Sequence, residues 1–89
     1  MIIQRTSSFE RQFKKLPQEI QLKAAEAISL FIDCYVHRQF PKGLRVHRCG
    51  PFVSLSIDMN YRIFIYPIVG GIRFVFVGTH DDADSYLKK

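Results

Sequence analysis

The hydrophobic pattern of this chain changes its period part-way along, and this change constrains the fold more than any other feature. Between residues 20 and 35 apolar residues recur at steps of three and four, the spacing of one face of an α-helix. This stripe comprises Ile20, Ala24, Ala27, Ile28, Phe31 and Tyr35. After a turn marked by Pro41 and Gly43, apolar residues such as Val53 and Leu55 alternate with polar ones, as in a half-buried strand. The sequence therefore predicts helices first and a sheet afterwards.

A short strand, MIIQR, and a first helix precede the long helix. Ser7 and Glu10 stand three residues apart, the spacing of a capping box at a helix start. Phe9 and Phe13 then repeat at helical spacing, until Pro17 ends this helix and suits the first turn of the next. Two helices joined so tightly are expected to fold back on each other as a hairpin.

The second half of the chain predicts four strands, in the stretches LRVHR, FVSLSID, YRIFIYPI and IRFVFVG. Short turns join these strands, so the sheet should be largely antiparallel. HDDADSYLKK predicts a terminal helix, with Asp81 and Asp82 near its positively polarised N-terminus. We therefore expect a single α+β domain over residues 1–89: an N-terminal helical hairpin packed on a mainly antiparallel four- to five-stranded sheet, followed by a short C-terminal helix.

The composition points to a polyanionic partner. The chain carries 13 Lys and Arg against 8 Asp and Glu, which gives a formal net charge of +5. Such a balance in 89 residues suggests binding to nucleic acid or to an acidic protein segment, although solubility alone is the alternative.

The chain is expected to be soluble and cytoplasmic, with no membrane association. Cys34 and Cys49 form no CxxC pair and read as reduced thiols. The first residues have neither a long apolar run nor a cleavage site, so they do not resemble a signal peptide, and no stretch is long enough to span a bilayer. We expect no metal site and no cofactor, because no Cys/His group has ligand spacing.

The hairpin YRIFIYPIVGGIRFVFVG is apolar on both faces, and its register decides what each face presents. A three-residue loop over residues 69–71 separates the side chains by type. It places Ile63, Ile65, Val75 and Val77 under the helices, and Arg62, Phe64, Tyr66, Phe74, Phe76 and His80 on the other face. A two-residue loop at Gly70 and Gly71 instead puts Arg62 and His80 on opposite faces. The aromatic face predicts an open groove for bases or a partner helix, or else a second core beneath the terminal segment.

Basic residues also cluster between residues 37 and 48. They are His37, Arg38, Lys42, Arg45, His47 and Arg48. This cluster suits contacts to phosphates, and a charged edge strand that resists aggregation is the alternative.

Four stretches in this order resemble the RelE/ParE superfamily of small toxins from bacterial toxin–antitoxin pairs. They are FERQFKKLP, GLRVHR, NYRIFIY and VGTHDDADSY. The resemblance covers nearly the whole chain and implies a compact antiparallel sheet with an N-terminal helical hairpin. It implies a RelE- or YafQ-like endoribonuclease that cuts mRNA in the ribosomal A site, using the RNA 2′-hydroxyl and leaving a 2′,3′-cyclic phosphate. ParE-like members instead inhibit DNA gyrase, and an antitoxin neutralises both kinds.

The resemblance also implies roles for individual residues. Arg62 matches the phosphate-contacting arginine, Tyr86 matches a tyrosine that stacks on a base or assists proton transfer, and His80 matches the acid–base histidine of YafQ-like members. Arginine suits bidentate phosphate binding, and histidine exchanges protons near neutral pH. The expected catalytic residues are therefore His80, Arg62 and Tyr86. The expected RNA-binding residues are Arg45, His47, Arg48, Tyr61 and Arg73.

Two departures from the RelE pattern bear on this site. Ser54 and Ser56 stand where RelE has lysines, which removes a candidate base and two positive charges. Asp81 and Asp82 place negative charge beside the expected phosphate site, although one of them is expected to orient His80.

Overall fold

The computed structural model describes residues 1–39 and 45–88. The turn expected at Pro41 and Gly43, and the basic residue Lys42, lie outside this range. The elements in chain order are β1 (Ile2–Arg5), α1 (Ser7–Lys14), α2 (Gln18–His37), β2 (Val46–Cys49), β3 (Phe52–Ser56), β4 (Tyr61–Ile68), β5 (Gly71–Thr79) and α3 (His80–Leu87). The predicted order of strand, two helices, four strands and a terminal helix is confirmed.

The strands form one sheet in the order β1-β5-β4-β3-β2. The pairs β2·β3, β3·β4 and β4·β5 are antiparallel, and β1 lies parallel to β5 at one edge. The predicted α+β class with a mainly antiparallel sheet is therefore correct.

The helix ends follow local chemistry. The cap of α1 is Thr6, one residue before the predicted cap Ser7: Thr6 Oγ1 accepts a hydrogen bond from the Phe9 N–H at 3.0 Å. The capping box predicted for Ser7 and Glu10 is wrong, since Glu10 instead forms an ion pair with Arg5 at 3.8 Å. α2 follows Pro17, as predicted, and ends where Arg38 adopts a left-handed conformation at φ 56°.

The main core lies between the helical hairpin and one face of the sheet, which we call the hairpin face. α1 contributes Phe9, and α2 contributes Ala24 and Phe31, all almost fully buried. The sheet contributes Leu55, Ile63, Ile65, Ile72, Phe74 and Val77. The predicted helical stripe is thus the side of α2 that packs on the sheet.

The β4–β5 hairpin differs from both loop lengths that the sequence suggested. Ile68 pairs with Gly71, so the loop contains only Val69 and Gly70. Gly70 adopts φ +80°, which glycine tolerates better than other residues. At Gly71 an added Cβ would lie 1.8 Å from the Ile2 carbonyl oxygen, so glycine also allows β1 to approach β5.

A β-bulge in β5 restores the expected register beyond the loop. Phe64 pairs with Phe76 but Ile65 pairs with Phe74, so Val75 is the extra residue. Phe74 therefore packs in the main core and Val75 packs on the opposite side, the reverse of the prediction. Past the bulge, Arg62 pairs with Gly78, as the three-residue loop required.

Candidate functional site

Two arginines lie in one cross-strand row on the sheet face opposite the hairpin. The row runs from Arg45 through Ser56 and Arg62 to Gly78. Directly opposed residues of antiparallel strands share a face, so both guanidinium groups extend from the same side. Their Cα atoms are two strand spacings apart, about 10 Å. Two long side chains at this separation can reach one phosphate or two adjacent ones.

His80 lies two residues beyond this row, opposite Asn60. Its backbone N–H donates to the Asn60 carbonyl oxygen at 2.7 Å. The chain then turns into α3, where Thr79 Oγ1 accepts from the Asp82 N–H at 3.2 Å. By this register the His80 backbone lies opposite Asn60, so its Cα is a diagonal neighbour of the Arg62 Cα at about 7–8 Å. The fold thus brings the backbones of His80 and Arg62, the two residues on which the expected chemistry depends, close together.

The aromatic side chains on this face form a second core instead of an open groove. Phe64 and Phe76 are 1% and 5% exposed, and they pack with Ala83 of α3. The Tyr86 ring lies 5.0 Å from Phe76, and the Phe52 and Phe64 rings are 5.7 and 5.8 Å away. We call this face, which α3 partly covers, the α3 face. Tyr86 is half-buried there and helps to hold α3 on the sheet.

The acidic residues of α3 differ in their relation to His80. Asp84 Oδ2 lies 3.5 Å from His80 Nδ1, and both side chains are about half exposed. Asp81 is exposed, and Asp82 lies beside Lys15 in a small depression on the hairpin side. The aspartate in contact with His80 is therefore Asp84, and the expectation that Asp81 or Asp82 orients it is wrong. Helical i,i+4 spacing would have identified Asp84 from the sequence.

The remaining expected RNA-binding residues fall into two groups. His47 lies on the α3 face opposite Ser54, but by strand geometry it is roughly 20 Å from His80, too far to share one phosphate. Arg73 lies four residues along the sheet from Arg62, about 13 Å, and donates to the Gln4 side chain at 2.9 Å. Arg48 pairs with Val53 and Tyr61 packs on the main core, so neither is on the α3 face.

The two serines at the RelE lysine positions have different environments. Ser54 is fully buried, and its hydroxyl has no hydrogen-bond partner among the residues that the structure describes. Ser56 is half-buried and lies between Arg45 and Arg62 in the arginine row. Neither hydroxyl replaces a lysine as a base, since a serine hydroxyl neither gains nor loses a proton near neutral pH.

A larger apolar groove of about 730 Å³ lies on the other side of the molecule, between α1, α2 and β1. Its apolar lining includes Ile3, Phe9, Phe13, Ile28, Ile32 and Phe74, with Arg5 and Lys14 among its charged residues. β1 is an edge strand beside this groove, with Ile2 and Ile3 about half exposed. A free strand edge next to an apolar groove is a surface that suits a protein segment.

Within residues 1–39 and 45–88, no helix is long and apolar enough to cross a membrane. The same residues contain no group of three or more His, Cys, Asp or Glu side chains that could hold a metal ion.

Comparisons with known proteins show the fold. No protein-family model matches the sequence, and no curated protein matches it. Among solved structures, the RelB–RelE antitoxin–toxin complex from Methanococcus jannaschii matches with a TM-score of 0.71 at 17% identity, covering 93% of this chain and 96% of that chain. The DinJ–YafQ complex from E. coli gives 0.67 at 13% identity, with 91% and 94% covered. YafQ from E. coli strain BL21(DE3) gives 0.61 at 10% identity, with 92% and 96% covered. The chain therefore has the fold of RelE and YafQ toxins, which confirms the predicted resemblance at the level of the fold.

Proposed function

We propose that this chain, with the fold of RelE and YafQ toxins, is the toxin of a type II toxin–antitoxin pair and cleaves mRNA in the ribosomal A site. The observation that carries the proposal is the backbone proximity of His80, which pairs with Asn60, to Arg62 on the same strand as Tyr61. The match over more than nine-tenths of both chains supports the toxin role.

The proposed reaction is attack by the RNA 2′-oxygen on the adjacent phosphorus. The bond from phosphorus to the 5′-oxygen breaks, and a 2′,3′-cyclic phosphate remains. The 2′-hydroxyl loses a proton and the leaving 5′-oxygen gains one, and His80 exchanges one of these protons. Arg62 stabilises the charge that builds on the phosphate oxygens, and Arg45 holds the same or the neighbouring phosphate.

Tyr86 has a supporting role in this proposal. Its ring packs against three phenylalanine rings and so fixes α3, which carries His80 at its first residue. We assign Tyr86 to holding the helix in place, whereas the resemblance implied stacking on a base.

The proposed partner in the bacterial cytoplasm is an antitoxin whose acidic, amphipathic segment occupies the groove between α1, α2 and β1. The apolar lining would accept its apolar side chains, and Lys14 would attract its acidic ones, whereas Arg5 is already paired with Glu10 of the same lining. The free edge of β1 would allow the segment to add as a strand.

The alternative is a ParE-like toxin that binds DNA gyrase without chemistry. The covered aromatic face and the two serines favour it, because they leave fewer groups for RNA on the α3 face than RelE has. A gyrase binder has no chemical need for the pairing of Arg62 with His80.

Controlled expression separates the two functions when translation and DNA synthesis are followed by separate isotope incorporation. We expect translation to stop first, and His80→Gln and Arg62→Ala to abolish the effect. Arg11→Ala is the matched control, because Arg11 is exposed and lies on the helical hairpin. Undiminished toxicity of both site variants, or an arrest of DNA synthesis alone, would overturn the nuclease proposal.

A further inference from the structure

Among residues 1–39 and 45–88, two histidine–aspartate pairs stand at i,i+4 spacing, and their order along the helix is opposite. In α2, Asp33 precedes His37, with Asp33 Oδ1 3.7 Å from His37 Nδ1 in the last turn of the helix. In α3, His80 precedes Asp84, with 3.5 Å between Nδ1 and Oδ2 in the first turns.

The order of histidine and aspartate along the helix decides how much the pair stabilises that helix. A helix dipole favours acids near its N-terminus and cations near its C-terminus, so the pair in α2 stabilises its helix. The pair in α3 places the basic ring at the N-terminus and the acid further along, against the dipole. The pair of His80 and Asp84 therefore stabilises its helix less than the pair in α2 does.

The geometry fixes which ring nitrogen is engaged. The contact of Asp84 is with Nδ1, so a proton on Nδ1 is favoured by the carboxylate. Nε2, at the far end of the ring, then remains for substrate.

We infer that Asp84 is a positioning residue for the proposed ribonuclease reaction: it holds His80 in the tautomer protonated at Nδ1, so that Nε2 exchanges the proton with RNA. This inference rests on the proposed function for its chemistry, but the tautomer itself is a property of the free protein. Asp84 does not touch the reacting atoms.

The test measures both properties on the same samples. Protein is made by cell-free synthesis with 15N-labelled histidine, and the ring nitrogen shifts give the tautomer of each of the three histidines. His37→Gln and His47→Gln identify the His80 signals. RNA cleavage is followed on programmed ribosomes. The variants are Asp84→Ala, with Asp33→Ala and Glu26→Ala as matched controls that each remove one exposed acid.

In the wild-type protein and both controls we expect His80 to carry its proton mainly on Nδ1 when neutral. Asp84→Ala should shift the proton to Nε2 and slow cleavage about tenfold, part of the roughly 10²-fold or greater factor of a positioned acid or base. An unchanged tautomer in Asp84→Ala overturns the inference, as does a shifted tautomer with unchanged cleavage. A wild-type protein that cleaves no RNA overturns the proposed function instead, and the tautomer measurement then still decides whether Asp84 orients His80.

Discussion

Replacing Tyr86 by alanine tests whether this residue holds α3 or acts on RNA directly. Its ring contacts Phe52, Phe64 and Phe76 at centroid separations of 5.0 to 5.8 Å. Truncating a fully buried aromatic residue costs about 3–5 kcal/mol, and Tyr86 is half-buried, so we expect a loss of about 2 kcal/mol. In a domain of this size that lowers Tm by about 10 °C.

The location of the loss matters as much as its size. α3 has eight residues, too few to remain helical without packing. We therefore expect Tyr86→Ala to release α3 from the sheet while the main core stays folded. Hydrogen exchange should show faster exchange in residues 80–87 and unchanged exchange in β3 and β4, and cleavage should fall because His80 moves with the helix.

Tyr86→Phe removes only the hydroxyl, so it distinguishes the packing role of the ring from a direct role of the hydroxyl in cleavage. It keeps the ring and its contacts, and no hydrogen bond to the Tyr86 hydroxyl is found among the described residues. We expect wild-type protection of α3 and wild-type cleavage. If Tyr86→Ala abolishes cleavage with α3 still protected, or Tyr86→Phe is inactive, the supporting role is refuted and a direct role is favoured.

Three further substitutions test the packing by urea unfolding. Gln12→Ala removes the side-chain oxygen that accepts from the Val77 N–H at 3.1 Å, so we expect a loss of about 1 kcal/mol, and no change would mean that water replaces this bond. Arg38→Gly relieves the left-handed conformation at φ 56° and should raise the free energy of unfolding by about 1 kcal/mol, whereas a decrease would contradict the strain. Ser54→Ala removes a buried hydroxyl without a described partner and should leave stability unchanged or raise it by about 1 kcal/mol, and a clear loss would reveal a hidden hydrogen bond.

The elements could be predicted because they depend on local patterns. The apolar stripe of α2 and the alternation in β3 each need only one element to be recognised, and both are found in the main core. The bulge at Val75 could not be predicted from a local pattern. It depends on how β5 meets its neighbours, and an apolar residue such as Val75 is acceptable on either face.

The features of the candidate site also separate into those that the sequence predicted and those that it did not. The proximity of Arg62 and His80 depends on the register of β4 against β5, and the sequence therefore offered it as one of two alternatives. The burial of Phe64 and Phe76 could not be predicted, because the sequence of an aromatic strand face is the same whether that face is open or covered by a later helix. Tyr86 was accordingly expected to be available to RNA, while the structure packs it on those rings.

α3 joins the stability of the second core to the proposed chemistry. It begins with His80, carries Asp84 on its second turn, and is anchored on the sheet by Ala83 and Tyr86. A substitution that loosens the second core should therefore detach α3 in a fraction of the molecules. Cleavage should fall by the same fraction, well before the domain unfolds. A residue of the main core, such as Phe31, should lower overall stability with little effect on cleavage while the domain remains folded. This difference between the two cores follows from the fold alone, since only the second core lies under the helix that carries the proposed acid–base residue.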